Sequence, residues 1–120
     1  TSTCNCFYVD PGDRSYQCLG FAEKCGYDFS GSNPRVNGAW TKTENVSALD
    51  SVKPGDIVRY YSVLSSIKHA ILVTAVDGNT ITYGDCNMND TCQIRWGATI
   101  TKDYLRNRFI YLNRAPFTLA

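Results

Sequence analysis

The amino-acid sequence of 120 residues predicts one α+β domain in which an N-terminal helix packs on an antiparallel β-sheet. Three observations support this fold class. A segment with helical start and stop signals comes first, runs of β-branched and aromatic residues follow it, and short turn sequences separate these runs. Because the chain is long enough for one small core and shows no internal repeat, we expect residues 1–120 to form a single domain.

The predicted helix follows an ordered loop over residues 1–14, which is rich in Pro, Gly, Asp and Cys. Ser15 can act as the N-cap, and Gly26 supplies a stop. Ala22 follows Cys18 at helical spacing, so one stripe of the helix is expected to face inward. Cys18 then lies in the first turn of this helix.

The strands are predicted from turn residues and from runs with high β-propensity. Pro54-Gly55-Asp56 forms a turn before one strand, and Asp77-Gly78-Asn79 forms the turn of a hairpin. The predicted strands cover residues 57–61, 69–76, 80–87, 93–96 and 109–112, and a short helix covers residues 101–105.

The register of the hairpin decides which side chains can meet. A three-residue turn places Asn87 opposite His69 and Asp85 on the diagonal, so that both polar groups can reach the imidazole ring. A two-residue turn shifts the pairing by one and moves Asp85 and Asn87 to the other face. We therefore expect either a three-residue turn or a compensating bulge.

Composition and charge argue against several classes of protein. The net charge is +1 and the basic residues are scattered, which argues against a nucleic-acid partner. No apolar run approaches the length of a membrane span. Six cysteines in so short a chain are typical of a secreted or extracellular protein. We expect the chain to be a monomer.

The cysteines allow two arrangements. If all six form disulfides, Cys18 has only a structural role. In the other arrangement Cys18 is a free thiol, four of the remaining five cysteines form two crosslinks, and one of Cys4 and Cys6 is left free or joined to another molecule. The disulfide cysteines are then Cys86 with Cys92, and Cys25 with Cys4 or Cys6. The spacing of Cys4-Asn5-Cys6 lacks the two-residue gap of zinc sites, so no metal is expected.

Cys18 and His69 together indicate a thiol hydrolase. The start of a helix favours a thiolate, and a nearby imidazole can take the thiol proton. His69 is the chain's one histidine and opens an apolar run typical of a strand. Asp85 can orient the ring and stabilise its charged form, with Asn87 as a supporting hydrogen-bond partner. The structural alternative makes His69 a core residue and Asp85 a cap of the following loop.

Three further side chains are candidates for substrate contacts. Gln17 can donate to an oxyanion together with the backbone N–H of Cys18. Trp40 and Tyr60 can line a groove. Each also has a structural interpretation, as an exposed first-turn residue for Gln17 and as core packing for the two aromatic residues.

These motifs resemble the CHAP family of cysteine amidohydrolases and peptidases, relatives of NlpC/P60 in the papain-like superfamily. NlpC/P60 itself is less similar, because it favours Asp before the cysteine and usually has a second histidine. The resemblance runs from about residue 16 to residue 113. It rests on Gln17-Cys18, on Lys53-Pro54-Gly55-Asp56-Ile57-Val58, and on His69-Ala70-Ile71-Leu72-Val73 followed by Asp85-Cys86-Asn87.

The resemblance implies a papain-like fold with an N-terminal catalytic helix. Cys18 corresponds to the nucleophile and His69 to the base, while Asp85 and Asn87 complete the site. The family more often has glutamate at the position of Asp85. It typically cleaves amide bonds of bacterial peptidoglycan, either between sugar and peptide or within the peptide, and its chemistry requires no cofactor. The resemblance thus implies a peptidoglycan hydrolase that acts through a thioester intermediate.

Two other functions compete with this prediction. The chain could be a disulfide-rich, non-catalytic binding module or inhibitor, in which Cys18 is crosslinked. The same catalytic residues could also act on a protein, as in a toxin or effector.

Overall fold

The computed structural model describes residues 2–3, 22, 25, 40–62, 68–86 and 93–119. In these ranges the chain forms one antiparallel sheet of seven strands, in the order β1-β6-β5-β4-β3-β7-β2. The strands are β1 (Ser2–Thr3), β2 (Thr41–Thr43), β3 (Ile57–Tyr61), β4 (Lys68–Asp77), β5 (Thr80–Cys86), β6 (Gln93–Thr101) and β7 (Phe109–Arg114).

The prediction of an α+β papain-like fold with a catalytic helix is wrong, because the domain is small and β-rich. Helical structure in the described ranges consists of the 3₁₀ helix Val46–Ser51, the five-residue helix α1 (Lys102–Arg106), and the helical positions Ala22 and Cys25. Most of the helix predicted between Ser15 and Gly26 lies outside the described residues. No helix in these ranges is long and apolar enough to cross a membrane.

The sheet is larger than predicted because strand pairing extends beyond the apolar runs. β6 continues to Thr101, although the sequence pattern indicated a strand only up to Trp96. A bulge makes this continuation possible. Gly97 is the extra residue between the pairs Gly84–Trp96 and Tyr83–Ala98, and its φ of 83° is a conformation that suits glycine.

Successive strand residues face opposite sides of the sheet, and each side carries a core. The larger core is completed by the 3₁₀ helix and α1. It consists of Leu49, Val52, Val58, Tyr60, Ile71, Val73, Ile81, Tyr83, Leu105 and Leu112. The core on the other side consists of Ala22, Trp40, Ile57, Ala70, Leu72 and Ala115. We call these the first and the second core.

The hairpin between β4 and β5 has a two-residue turn, and the second of the two expected arrangements, a compensating bulge, is the one that the structure shows. Asp77 pairs with Thr80 across Gly78 and Asn79. A register shift between Val73 and Ala75 then leaves Thr74 as an extra residue in β4. This is the compensating bulge that was the other expectation, and it restores the register that the three-residue turn would have produced.

Candidate functional site

His69 is the second residue of β4 and faces the first core. It lies on the same side of the strand as Ile71 and Val73, and its relative exposure is only 3%. In the neighbouring strand β3, Tyr60 is its direct cross-strand partner. The two rings meet edge to face, with centroids 5.8 Å apart and planes at 90°. The tyrosine ring therefore restricts how the imidazole can turn.

The structure brings His69 and Asp85 together. The His69 Nε2 atom lies 2.8 Å from Asp85 Oδ2, and the aspartate side chain is fully buried. An ionised carboxylate only accepts hydrogen bonds, so Nε2 carries the ring proton and donates it. Any proton exchange with a nucleophile then falls to Nδ1. The register that the bulge at Thr74 restores is the reason that the two side chains share one face.

Arg95 completes this cluster and is a residue that the sequence pattern did not reveal. It is the direct cross-strand partner of Asp85 in β6. Its guanidinium donates from Nε to Oδ1 at 2.9 Å and from Nη2 to Oδ2 at 2.6 Å, which is a bidentate arrangement. Nη2 also donates to the Tyr83 hydroxyl at 3.4 Å. A buried carboxylate needs compensating partners, and Arg95 supplies a charged one.

The charges of the cluster stabilise one another. Burial raises the pKa of Asp85, but hydrogen bonds from His69 and Arg95 outweigh burial and hold that pKa below the ordinary value of an aspartate. The bond to Asp85 raises the pKa of Arg95. Burial raises the pKa of Tyr60 and of Tyr83, and the nearby Asp85 charge adds to both shifts. Near neutral pH the cluster therefore holds an ionised aspartate, an ionised arginine and two neutral tyrosines.

Beside this cluster lies a depression of about 330 Å³. The lining residues are Tyr60, Tyr83, Thr99, Ile100, Thr101 and Tyr104. Tyr60 thus borders a depression, although its side chain is almost fully buried, and its role in substrate contact stays a prediction.

Trp40 occupies a different position from the predicted groove. It is 5% exposed, belongs to the second core, and meets Phe117 edge to face with centroids 5.8 Å apart. The second core lies on the side of the sheet opposite His69, so the structural interpretation of Trp40 is the one that its surroundings support.

Several predicted residues lie outside the described residues, and their roles stay predictions. They are Cys18, Gln17, Asn87, Cys92, Cys4 and Cys6. Cys25 is half-buried against the second core, and Cys86 is the last residue of β5. Ala22, four residues after Cys18 in the sequence, is buried in the second core. Within the described ranges, no three His, Cys, Asp or Glu side chains lie close enough to hold a metal ion.

No family model and no curated protein matches the sequence. Solved structures that are similar in fold include two of Ly7917. "The crystal structure of Ly7917" superposes with a TM-score of 0.67 at 16% identity, over 96% of this chain and 59% of that chain. "The crystal structure of Ly7917 with the hydrolyzing product of MDP" gives a TM-score of 0.55 at 21% identity, over 70% of this chain and 34% of that chain. This chain thus spans less than two thirds of these neighbours, and the likeness shows a shared fold.

Proposed function

We propose that this chain is a cysteine hydrolase of the CHAP family that cleaves amide bonds in bacterial peptidoglycan. The observation that carries the proposal is the buried hydrogen bond of 2.8 Å between His69 Nε2 and Asp85 Oδ2. A strand-borne imidazole with an ionised, buried partner is the base and orienting pair that thiol hydrolases need. The sequence motif Gln17-Cys18 supplies the thiol for this pair.

The chemistry follows from these groups. His69 Nδ1 takes the thiol proton of Cys18, and the thiolate attacks the amide carbonyl carbon. Gln17 and the Cys18 backbone N–H stabilise the resulting oxyanion. The imidazolium then returns its proton to the leaving amine, and the C–N bond breaks to give a thioester. Water, deprotonated by His69, attacks the thioester and releases a carboxylic acid and the free thiol.

A neighbour of similar fold and the CHAP motifs support peptidoglycan as the proposed substrate. MDP is a peptidoglycan fragment, and one protein of similar fold was solved with its hydrolysis product. The CHAP motifs indicate the same substrate class. We propose that the protein is secreted, which its six cysteines favour, and that it is monomeric. We propose no cofactor, because the chemistry above uses only side chains and water.

Digestion of purified peptidoglycan tests the proposal, with new end groups identified by mass spectrometry. We expect Cys18→Ala and His69→Gln to lower the rate by about a thousandfold or more. Lys68→Gln, at the exposed neighbouring position of β4, should digest at the wild-type rate and serves as the matched control. A folded Cys18→Ala protein that digests walls as fast as the wild type would reject the mechanism.

Thiol mapping separates the hydrolase from a disulfide-stapled binding module. The unreduced chain is unfolded in denaturant, alkylated, and digested for mass spectrometry. The hydrolase proposal requires alkylation at Cys18. A crosslinked Cys18 would support the binding module, and a free thiol without wall digestion would direct the same site to a protein substrate.

A further inference from the structure

We propose that Arg95 is a positioning residue for the His69–Asp85 pair. Its guanidinium fixes the plane of the Asp85 carboxylate, and its positive charge offsets the carboxylate charge that the imidazole experiences. This inference rests on the proposed function for the meaning of the pair, but the contacts that support it are independent of any substrate.

Arg95 fixes the orientation of the Asp85 carboxylate. The terminal torsion of an aspartate side chain is soft, so one hydrogen bond to His69 does not fix the carboxylate plane. Arg95 binds both oxygens, at 2.9 and 2.6 Å, in the planar geometry of a guanidinium fork. Tyr83 accepts a further hydrogen bond from the same guanidinium at 3.4 Å. Asp85 Oδ2 is thereby held at the point where His69 Nε2 reaches it.

Three neighbouring strands carry His69, Asp85 and Arg95. Asp85 and Arg95 form a direct cross-strand pair between β5 and β6, and β5 also pairs with β4, the strand of His69. The three side chains therefore stand on three neighbouring strands of one sheet. Ladder hydrogen bonds keep such strands at fixed spacing, which is better suited to precise placement than a loop would be.

Several ionisable side chains surround the His69–Asp85 pair. Among the described residues, Tyr60 of β3 packs on the His69 ring and Asp85 of β5 binds its Nε2 atom. Arg95 of β6 binds the Asp85 carboxylate, and Tyr83 of β5 binds the Arg95 guanidinium. Tyr104 of α1 couples electrostatically to both tyrosines.

The Asp85 carboxylate attracts a protonated imidazole, and the Arg95 guanidinium repels it. Opposite charges bound to one carboxylate thus leave the imidazole closer to balance between taking and releasing a proton, which a base used twice in one reaction requires.

Nuclear magnetic resonance tests this inference without a substrate, because His69 is the one histidine of the chain. The ring signals are followed with pH in the wild type, Arg95→Gln, Arg95→Lys and Arg106→Gln. Removing the charge in Arg95→Gln should raise the midpoint of the ring titration by about one pH unit. Arg95→Lys keeps the charge, so its midpoint should stay within about 0.3 units, while kcat/KM falls about tenfold because the fork is lost.

Arg106→Gln is the matched control, since it removes the same charge from an exposed pair with Asp50 and Asp103. Its midpoint should equal that of the wild type within about 0.2 units, because solvent and salt screen exposed charges. An unchanged midpoint in Arg95→Gln would overturn the inference.

If Arg95→Gln does not fold, Arg95→Lys decides the question through the downfield His69 Nε2–H signal. We expect this proton to exchange faster in the lysine variant, because the carboxylate is no longer fixed. An unchanged signal together with an unchanged kcat/KM would reject the positioning role. A wild-type chain that digests no peptidoglycan, but whose midpoint still depends on Arg95, would reject the proposed hydrolase and leave the electrostatic coupling in place.

Discussion

Asp85 carries its charge where water does not reach, and the compensation comes from two neighbouring strands. His69 supplies one hydrogen bond and Arg95 supplies two. An uncompensated buried charge would protonate instead. The contacts with His69 and Arg95 thus hold the pKa of Asp85 below its ordinary value in the folded chain.

The stability of the chain should depend on pH through Asp85. Because its pKa in the folded chain is lower than in the unfolded chain, its contribution is present above about pH 4 and is lost as pH falls through the folded value. At pH 7, Asp85→Asn should lower the free energy of unfolding by about 3 kcal/mol, since it breaks a buried pair.

Denaturant titrations of wild type and Asp85→Asn from pH 7 to pH 3 measure this effect. The difference between the two proteins should shrink below about pH 4, while all other carboxylates affect both proteins alike. A difference that stays constant down to pH 3 would show that Asp85 is not ionised through its contacts with His69 and Arg95.

Tyr60 should ionise later than an ordinary tyrosine, because its side chain is 1% exposed and lies near the Asp85 charge. A raised pKa means that its contribution to stability is complete below about pH 10 and is lost as pH rises further. Absorbance at 295 nm follows tyrosinate formation in the native chain. Up to about pH 11, the native curve of Tyr60→Phe should coincide with that of the wild type.

The denatured protein provides the control for this titration. Tyr60 is then exposed like the other tyrosines, so Tyr60→Phe should lose one of eight equal contributions to the absorbance change. A native Tyr60→Phe chain that loses the same share below pH 11 would contradict the buried, late-ionising tyrosine.

At the scale of elements, β5 is positioned by a bulge in each of its neighbours. Thr74 is the extra residue on the β4 side, and Gly97 is the extra residue on the β6 side. Thr74 Oγ1 donates to the Thr82 carbonyl at 3.1 Å and stabilises the first bulge. Since a shift of one residue moves a side chain to the other face, these two bulges bring His69 and Arg95 onto the face of Asp85.

The β5–β6 pairing also depends on a glycine beneath an aromatic ring. A Cβ added at Gly84 would lie 2.3 Å from carbon atoms of the Trp96 ring, its direct cross-strand partner. Gly84→Ala should therefore lower the free energy of unfolding by about 1–3 kcal/mol through overpacking. Thermal or denaturant unfolding measures this cost.

A double-mutant cycle assigns the cost to the ring. Because Trp96 is 55% exposed, Trp96→Ala should be tolerated, and Gly84→Ala should cost less in that background than in the wild type. Equal costs in both backgrounds would mean that the Trp96 ring is not the obstacle at Gly84.

At the scale of the whole molecule, local sequence patterns predicted some strands, whereas strands held by long-range pairing were not predicted. Residues 57–61 were predicted as a strand and match β3, and the predicted hairpin strands match β4 and β5 within a few residues. These segments have dense apolar patterns and tight turns. The edge strands β1 and β2 have neither signal and are held by backbone pairing with β6 and β7. The predicted fold class was wrong because strands dominate the described residues and the helices among them are short.

In the candidate site, too, the residues joined by local structure were predicted and the residue brought in by long-range pairing was not. His69 and Asp85 belong to one hairpin, so a turn and a register were enough to predict that their side chains meet. Arg95 follows a segment over residues 87–92 whose length does not fix the alignment of β5 with β6. The cross-strand pairing that reveals Arg95 therefore required the structure.

The motif Lys53-Pro54-Gly55-Asp56 belongs to the architecture of the whole molecule. Asp56 is fully buried and accepts hydrogen bonds from the backbone of Lys53 at 3.0 Å, from Arg114 Nη1 at 3.0 Å and from the backbone of Ala115 at 2.9 Å. Arg114 also donates to Ser51 Oγ at 2.9 Å. One carboxylate thus joins the turn before β3 to the end of β7, across about sixty positions of the sequence.

Asp56→Asn should separate folding from chemistry. The amide replaces one acceptor oxygen by a donor and leaves Arg114 without its charged partner, so the free energy of unfolding should fall by about 3 kcal/mol. The His69 Nε2–H signal and the digestion rate per folded molecule should remain at wild-type levels, because the Asp56 carboxylate accepts its hydrogen bonds from Lys53, Arg114 and Ala115 and not from the Asp85 cluster of the described chain. Denaturant unfolding and the peptidoglycan assay measure both quantities, and wild-type stability in Asp56→Asn would remove the structural role that this motif has here.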